Sequence, residues 1–101
     1  MNAFELDMAF EPKEVAAGLE RVFKKLGLAW SCERQASAQY EFHVTLRDGE
    51  RAQVVVRPLP PERMTYLGAF PRTLLEARAD DGSDLEPLRR EIVIAFLRVT
   101  G

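Results

Sequence analysis

Apolar and polar residues alternate strictly near the start of the chain, over residues 4–10 (FELDMAF). One side of an extended backbone then carries four large apolar side chains: Phe4, Leu6, Met8 and Phe10. A strand with one buried face has this pattern. The first element is therefore predicted to be a half-buried β-strand whose apolar side faces a core.

The same alternation returns over residues 38–47 and again over residues 50–57. Between them stands Asp48-Gly49, which is typical of two-residue type I′ turns because glycine accepts positive φ angles. These two segments are therefore predicted to form a β-hairpin. Residues 30–35 are expected to extend its first strand.

A helical period follows the first strand. Over residues 12–26 the apolar positions recur every three or four residues and form one stripe: Val15, Leu19, Val22, Phe23 and Leu26. Pro12 suits the first helical position, where its missing N–H is not needed. Gly27 is expected to end the helix in the left-handed conformation.

Turn residues precede a second helix, which is predicted to run from a cap at Asp84 to about Val99. Six residues complete its core stripe: Leu85, Leu88, Ile92, Ala95, Phe96 and Val99. Three further apolar residues point away from that stripe: Val93, Ile94 and Leu97. A helix that is apolar nearly all round is normally buried on more than one side. Either another part of this chain or a second chain is therefore expected to cover them.

The stretch between the hairpin and the second helix is less regular. Residues 58–63 (PLPPER) contain three prolines, which lack the N–H that a central strand needs, and are predicted to form a stiff loop. Residues 64–70 and 72–80 have the composition of two more strands or of one long bent strand.

Together these elements predict an α+β fold, a single antiparallel sheet of four to five strands with both helices on one face. The element order, β-α-β-β-(β-β)-α, resembles the TATA-binding-protein-like topology. No sequence motif accompanies this resemblance, so it implies a fold and no function. The order over residues 12–100 is also similar to that of double-stranded-RNA-binding domains. Those domains have basic residues at the start of the last helix, where this chain reads Asp84-Leu85-Glu86-Pro87.

Composition narrows the class of protein. The chain has 101 residues, a net charge of −2 and one cysteine, which fits a single domain over residues 1–101. A lone cysteine excludes an internal disulfide framework, and the near-neutral charge makes nucleic acid an unfavoured partner. No apolar run approaches the roughly 20 residues of a membrane helix, and the first residues lack the features of a signal peptide. A cytoplasmic protein without membrane association is expected.

Isolated polar residues offer little chemistry. His43 is predicted to be a solvated residue on the polar face of a strand, and Cys32 a buried or half-buried structural thiol. The carboxylates of residues 80–84 do not match a calcium loop, and the P-x-x-P sequence at residues 57–61 is expected to act as a linker. No catalytic motif or set of metal ligands is recognisable. No catalytic residue, cofactor or metal is therefore predicted.

The surplus apolar residues of the second helix carry the functional hypothesis, a non-enzymatic protein-interaction module that self-associates as a homodimer. Its predicted interface has an apolar centre formed by Val93, Ile94 and Leu97. Glu86 and Arg90 are predicted to form its polar rim.

Two alternatives stand beside this hypothesis. A small apolar ligand would occupy a pocket between sheet and helices, lined by Phe4, Met8, Tyr40, Phe42 and Phe96. Nucleic acid, the weaker alternative, would bind the exposed face of the sheet through its arginines: Arg47, Arg51 and Arg57. Acidic residues share that face: Glu5, Asp7 and Glu41.

Overall fold

The computed structural model describes residues 1–35, 38–47, 49–64, 68–80 and 82–100. Its elements, in order, are β1 (Ala3–Met8), α1 (Pro12–Leu26), β2 (Ala29–Gln35), β3 (Gln39–Thr45), β4 (Arg51–Met64), β5 (Gly68–Ala79) and α2 (Glu86–Thr100). The strands form one antiparallel sheet in the order β1-β5-β4-β3-β2. The predicted α+β class with a single antiparallel sheet is therefore confirmed, with five strands.

One face of the sheet carries the hydrophobic core, and the alternation along the strands explains why. In the central pair, Phe42 lies opposite Val54 and Val44 opposite Ala52, and all four side chains are buried. The helices add their own buried stripes to this cluster, including Leu19, Phe23, Leu85 and Ile92. Strands β1, β3, β4 and β5 all contribute to the core, whereas no residue of β2, which is described throughout, does so.

The ends of α1 follow from its sequence as predicted. Pro12 is its first residue, and Gly27 lies just beyond its last with φ of +71°. The Leu28 N–H donates to the Phe23 carbonyl at 2.9 Å, and the Gly27 N–H donates to the Lys24 carbonyl at 3.1 Å. These two hydrogen bonds satisfy carbonyls that the end of a helix would otherwise leave unpaired.

Helix α2 lies antiparallel to α1, and the two helices approach closely at a glycine. The ring of Phe96 lies against Gly18 and packs at 5.2 Å between centroids on Phe10. Towards the other end of the helix pair, Lys25 and Glu91 form an ion pair at 3.2 Å. Gly18 therefore sits in the middle of α1 because the aromatic ring of α2 needs the space of its missing side chain.

One prediction about the strands is wrong because the chain reverses where an extension was expected. Residues 30–35 do not extend the hairpin strand; they belong to β2, which pairs antiparallel with β3 from Ala29 opposite Thr45 to Gln35 opposite Gln39. Ala38, with φ of +60°, lies at this reversal, and residues 36 and 37 are outside the described part of the chain.

The prolyl segment is also not a loop. Residues 58–63 continue β4, which pairs with β5 as far as Met64. The Asp80 N–H donates to the Arg51 carbonyl, so the odd-numbered residues of β4 point their backbone groups at β5. Pro58 therefore points its N atom to the other side, where β4 has no described partner beyond Val56. A proline is tolerated at such an edge, and Pro60 and Pro61 lie where the register shifts.

Beyond the prolines, Met64 is the last residue of β4, and β5 runs as one strand from Gly68 to Ala79. Of the two alternatives, one continuous strand is therefore correct for residues 68–79, with no break at Pro71. Residues 65–67 are outside the described part of the chain.

The turn between β3 and β4 is longer than predicted. Thr45 lies opposite Arg51, and the Leu46 N–H donates to the Glu50 carbonyl at 2.7 Å, so the loop inside this last hydrogen-bonded pair has three residues, 47–49. Gly49 has φ of +84°, and its N–H donates to the Leu46 carbonyl at 2.9 Å. A glycine in the left-handed conformation at the third position is typical of three-residue hairpin loops. Asp48 itself is outside the described residues.

We expect Gly18→Ala to destabilise the protein although alanine favours helices. The new Cβ would overlap the ring of Phe96, and overpacking a core costs about 1–3 kcal/mol, against about 1 kcal/mol gained in helix propensity. Urea unfolding of the single variant, of Phe96→Leu and of the double variant would measure this. The loss in the free energy of unfolding of the double variant should be smaller than the sum of the losses of the two single variants. Additive losses would show that Gly18 and Phe96 are not coupled.

We expect Gly49→Val to lower the free energy of unfolding by about 1–3 kcal/mol, because a β-branched residue is strained at positive φ. Gly49→Asn is the matched control, since asparagine accepts the left-handed conformation and should cause a smaller loss. Thermal unfolding of both variants would test this, and equal losses would contradict the conformational explanation.

Candidate functional site

The five residues predicted to form an interface lie on the outer side of α2. At 100° per residue they fall within an arc of about 100°. The exposed fraction of Leu97 is 64%, the largest of any described large apolar side chain. Val93 and Ile94 are half-buried, and Arg90 is exposed. The Glu86 carboxylate lies 3.7 Å from the Arg89 guanidinium. The structure thus brings these residues together on one surface, which we call the α2 outer face.

The residues predicted to line an apolar pocket belong to the packed interior. Phe4, Met8, Phe42 and Phe96 are buried, and Tyr40 is half-buried. Phe42 packs on Phe23 with their ring centroids 5.7 Å apart, and Phe96 packs on Phe10. A ligand between sheet and helices would therefore have to displace rings that contact each other.

The sequence pattern missed a second surface, the free edge of β2. All seven of its residues, Ala29–Gln35, are exposed. Within the described residues this strand pairs only with β3, so its other side has no backbone partner. A strand at the edge of a sheet presents unpaired N–H and C=O groups, which are a template for pairing with another strand.

The hydrogen-bonding pattern shows which groups are unpaired. The Leu46 N–H donates to the Glu50 carbonyl, so the even-numbered residues of β3 direct their backbone N–H and C=O groups towards β4. The odd-numbered residues of β3 therefore direct theirs towards β2. The residues of β2 opposite those are also odd-numbered. Consequently Trp30, Cys32 and Arg34 direct their N–H and C=O groups outwards, three donors and three acceptors along one edge.

Side chains beside the β2 edge are partly held by α1 and β3. The Trp30 ring packs on Phe23 at 6.0 Å between centroids, and the Arg34 guanidinium lies 5.9 Å from the centre of the Tyr40 ring. A groove of about 620 Å³ separates α1 from Trp30 and Tyr40. Two side chains of the edge strand therefore contact aromatic rings of α1 and β3, although no residue of the strand is buried.

Cys32 differs from its prediction as a buried or half-buried thiol, because it is exposed on this edge. Partial burial and the negative charges of Glu20 and Glu33 raise the pKa of its thiol. The thiol is therefore protonated near neutral pH, which is unsuitable for a nucleophile.

The face of the sheet opposite the helices, here called the open face, carries paired charges. Arg57 and Glu76 form an ion pair at 2.8 Å, and Arg72 pairs with Asp7. Arg47, one of the arginines proposed to contact nucleic acid, instead donates to the Leu26 carbonyl at 3.4 Å. An arginine whose charge is offset by a carboxylate, as that of Arg57 is, is poorly suited to bind phosphates.

Three residues on the open face could hold a metal ion. Ligand atoms of Glu33, Glu41 and His43 lie within 4.8 Å of one another, and His43 is exposed, as predicted. Glu41 already accepts hydrogen bonds from the side chains of Gln35, at 2.6 Å, and Gln53. The protein's own amides thus satisfy the most buried carboxylate of this cluster.

Comparison with known proteins adds no functional residue to these surfaces. No protein-family model matches the chain, and no curated protein matches it significantly. Among the described residues, no helix is both long enough and apolar enough to cross a membrane. The functional argument therefore depends on the geometry of the α2 outer face and the β2 edge.

We expect Glu20→Gln to accelerate alkylation of Cys32 by iodoacetamide at pH 7.5, because removing a nearby negative charge lowers the pKa of the thiol. In the wild-type protein the rate should rise with pH around a midpoint above the usual cysteine value of about 8.5. Glu14→Gln, an exposed change at the start of α1, is the control. A midpoint at or below the usual value would contradict this account.

Proposed function

We propose that this protein is a non-enzymatic interaction module that self-associates as a homodimer through the β2 edge. The observation that supports the proposal is the exposure of all seven β2 residues, with the backbone groups of Trp30, Cys32 and Arg34 directed outwards. Pairing of two edges joins the sheets of two chains, a common way in which exposed strands are used.

The other edge of the sheet is less suited to the same role. The Ala79 N–H donates to the Asn2 carbonyl at 2.9 Å, so the even-numbered residues of β1 direct their backbone N–H and C=O groups towards β5. The odd-numbered residues of β1 direct theirs outwards. The two antiparallel registers that pair five residues of β1 with its own copy would place Glu5 opposite Glu5 or Asp7. Like charges directly opposite each other destabilise a strand pair, so the proposal concerns β2.

The α2 outer face is the second candidate for the dimer interface, and the exposure of Leu97 is the observation that favours it. It is the weaker candidate because Val93 and Ile94 are already half-buried within one chain, so a second chain would cover less additional apolar surface there. The β2 edge, in contrast, offers six directional backbone groups that pairing would satisfy together.

The remaining parts of the proposal follow from the thiol and the charges. A lone exposed cysteine is compatible with a reducing compartment, and we therefore propose a cytoplasmic location. Paired charges on the open face and close-packed rings beneath the helices give nucleic acid and a small apolar ligand less support than a second protein chain.

Light scattering of three variants tests the proposal. We expect Cys32→Pro to be a folded monomer, because the N–H that proline removes points away from β3. Cys32→Ser is the matched control and should remain a dimer, and so should Val93→Glu with Leu97→Lys. Arg34→Pro removes another outward N–H and should also be monomeric.

Circular dichroism would establish that each variant is folded. Loss of the dimer only in the Val93→Glu, Leu97→Lys variant would assign the interface to the α2 outer face. A wild-type protein that is monomeric at high micromolar concentration would refute self-association altogether.

A further inference from the structure

We infer that two copies of this chain pair their β2 strands antiparallel about a two-fold axis at Cys32, which joins the two sheets into one of ten strands. This inference depends on the proposed self-association and adds the register, the contacts and the position of the axis. Its physical basis is the direction of the free backbone groups and the charges that each register would bring together.

The backbone restricts the register first. Outward-directed residues must lie opposite outward-directed residues to exchange hydrogen bonds, and in β2 these are Trp30, Cys32 and Arg34. A two-fold axis at Cys32 places Trp30 opposite the partner's Arg34 and pairs all seven residues of Ala29–Gln35. Moving the axis by one residue leaves two residues of the strand unpaired.

Charge disfavours the registers whose axis is displaced towards Gln35, whereas an axis at Ser31 is disfavoured only by its shorter pairing. An axis at Glu33 places this carboxylate opposite its own copy, and an axis at Arg34 does the same for the guanidinium. Both arrangements are unfavourable because like charges directly opposite each other repel. With the axis at Cys32, Glu33 lies opposite the partner's Ser31, so no like charges face each other across the new strand pair.

The same register also joins two side chains of favourable chemistry. Trp30 and Arg34 lie on the helix side of β2, since they stand opposite Val44 and Tyr40 of β3, which point into or beside the core. Each Trp30 ring, 36% exposed in one chain, would meet the partner's Arg34. Guanidinium groups are attracted to the faces of indole rings, and the contact occurs twice in a symmetric pair.

Neither helix obstructs the edge. Every residue of β2 is exposed, although Phe23 of α1 packs on the Trp30 ring. A second strand can therefore approach at the usual spacing of about 4.8 Å between neighbouring strands.

The single cysteine of the chain provides a direct test of the register. In a hydrogen-bonded antiparallel pair, opposite Cα atoms lie about 5.5 Å apart, within the range that a disulfide spans. Mild oxidation at pH 8.5 should therefore convert the wild-type protein into a covalent dimer. Cys32→Ser with Ala29→Cys is the control, because copies of residue 29 would lie about 20 Å apart in this register and should not cross-link.

Charge substitutions at Ser31 provide an independent test that does not need a thiol. Ser31→Glu would face the partner's Glu33 twice in each dimer and should weaken dimerisation by about two- to thirty-fold. Ser31→Lys should strengthen it, because the same two contacts become attractive. Dissociation constants from analytical ultracentrifugation would compare both variants with the wild-type protein.

The outcomes separate this inference from the proposed function. A dimer that cross-links through residue 29 and not through Cys32, or one in which both Ser31 variants dissociate equally, would refute the register while self-association stands. A monomeric wild-type protein would refute both. Selective cross-linking at Cys32 together with opposite effects of the two Ser31 variants would establish the pairing.

Discussion

Two helices have to cover one apolar face of a five-stranded sheet, and the rest of the structure depends on that constraint. Two adjacent helices about 10 Å across cover about 20 Å, whereas five strands at about 4.8 Å occupy about 24 Å. About one strand is therefore left uncovered. The core accordingly takes residues from β1, β3, β4 and β5, and β2 lies at the margin of the helix layer, where Trp30 packs on Phe23 but all seven residues of the strand stay exposed.

The same constraint explains the close contact between the helices. To cover four strands with one core, α1 and α2 must pack against each other as well as on the sheet, and Phe96 fills the space between them. Its ring reaches the backbone of α1 only because residue 18 has no side chain. A glycine in mid-helix lowers helix propensity by about 1 kcal/mol, and here the burial of an aromatic ring offsets that loss.

The sequence predicted the elements that contribute to the core, because burial on one face leaves a period in the chain. Strand β1, the hairpin of β3 and β4 and both helices show this period, and each is present. Strand β2 contributes no residue to the buried core, so its sequence AWSCERQ has no alternation that could separate it from the following strand. The prolines of β4 predicted a loop for a related reason, since a sequence does not show on which side a strand has a neighbour.

Candidate interface residues were predictable only where they departed from a core pattern. Val93, Ile94 and Leu97 were found as a surplus on a helix whose buried stripe was already complete, and the structure places them on one surface. The β2 edge has no comparable signal, because its interaction groups belong to the backbone and are the same for every residue type. Sheet order and hydrogen-bond direction had to be known before those groups could be recognised.

The two edges of the sheet differ in a way that limits how the protein can assemble. On β1, Glu5 and Asp7 both lie at positions whose backbone groups point outwards, so the two symmetric antiparallel registers that pair five residues of that strand bring carboxylates together. On β2 the charged residues are adjacent and of opposite sign, and the register that pairs the whole strand brings no like charges together. One edge that repels its own copy and one that accepts it would allow the sheet to grow once and then stop. Such an arrangement favours a closed pair of chains over the open-ended association to which exposed strand edges are otherwise prone.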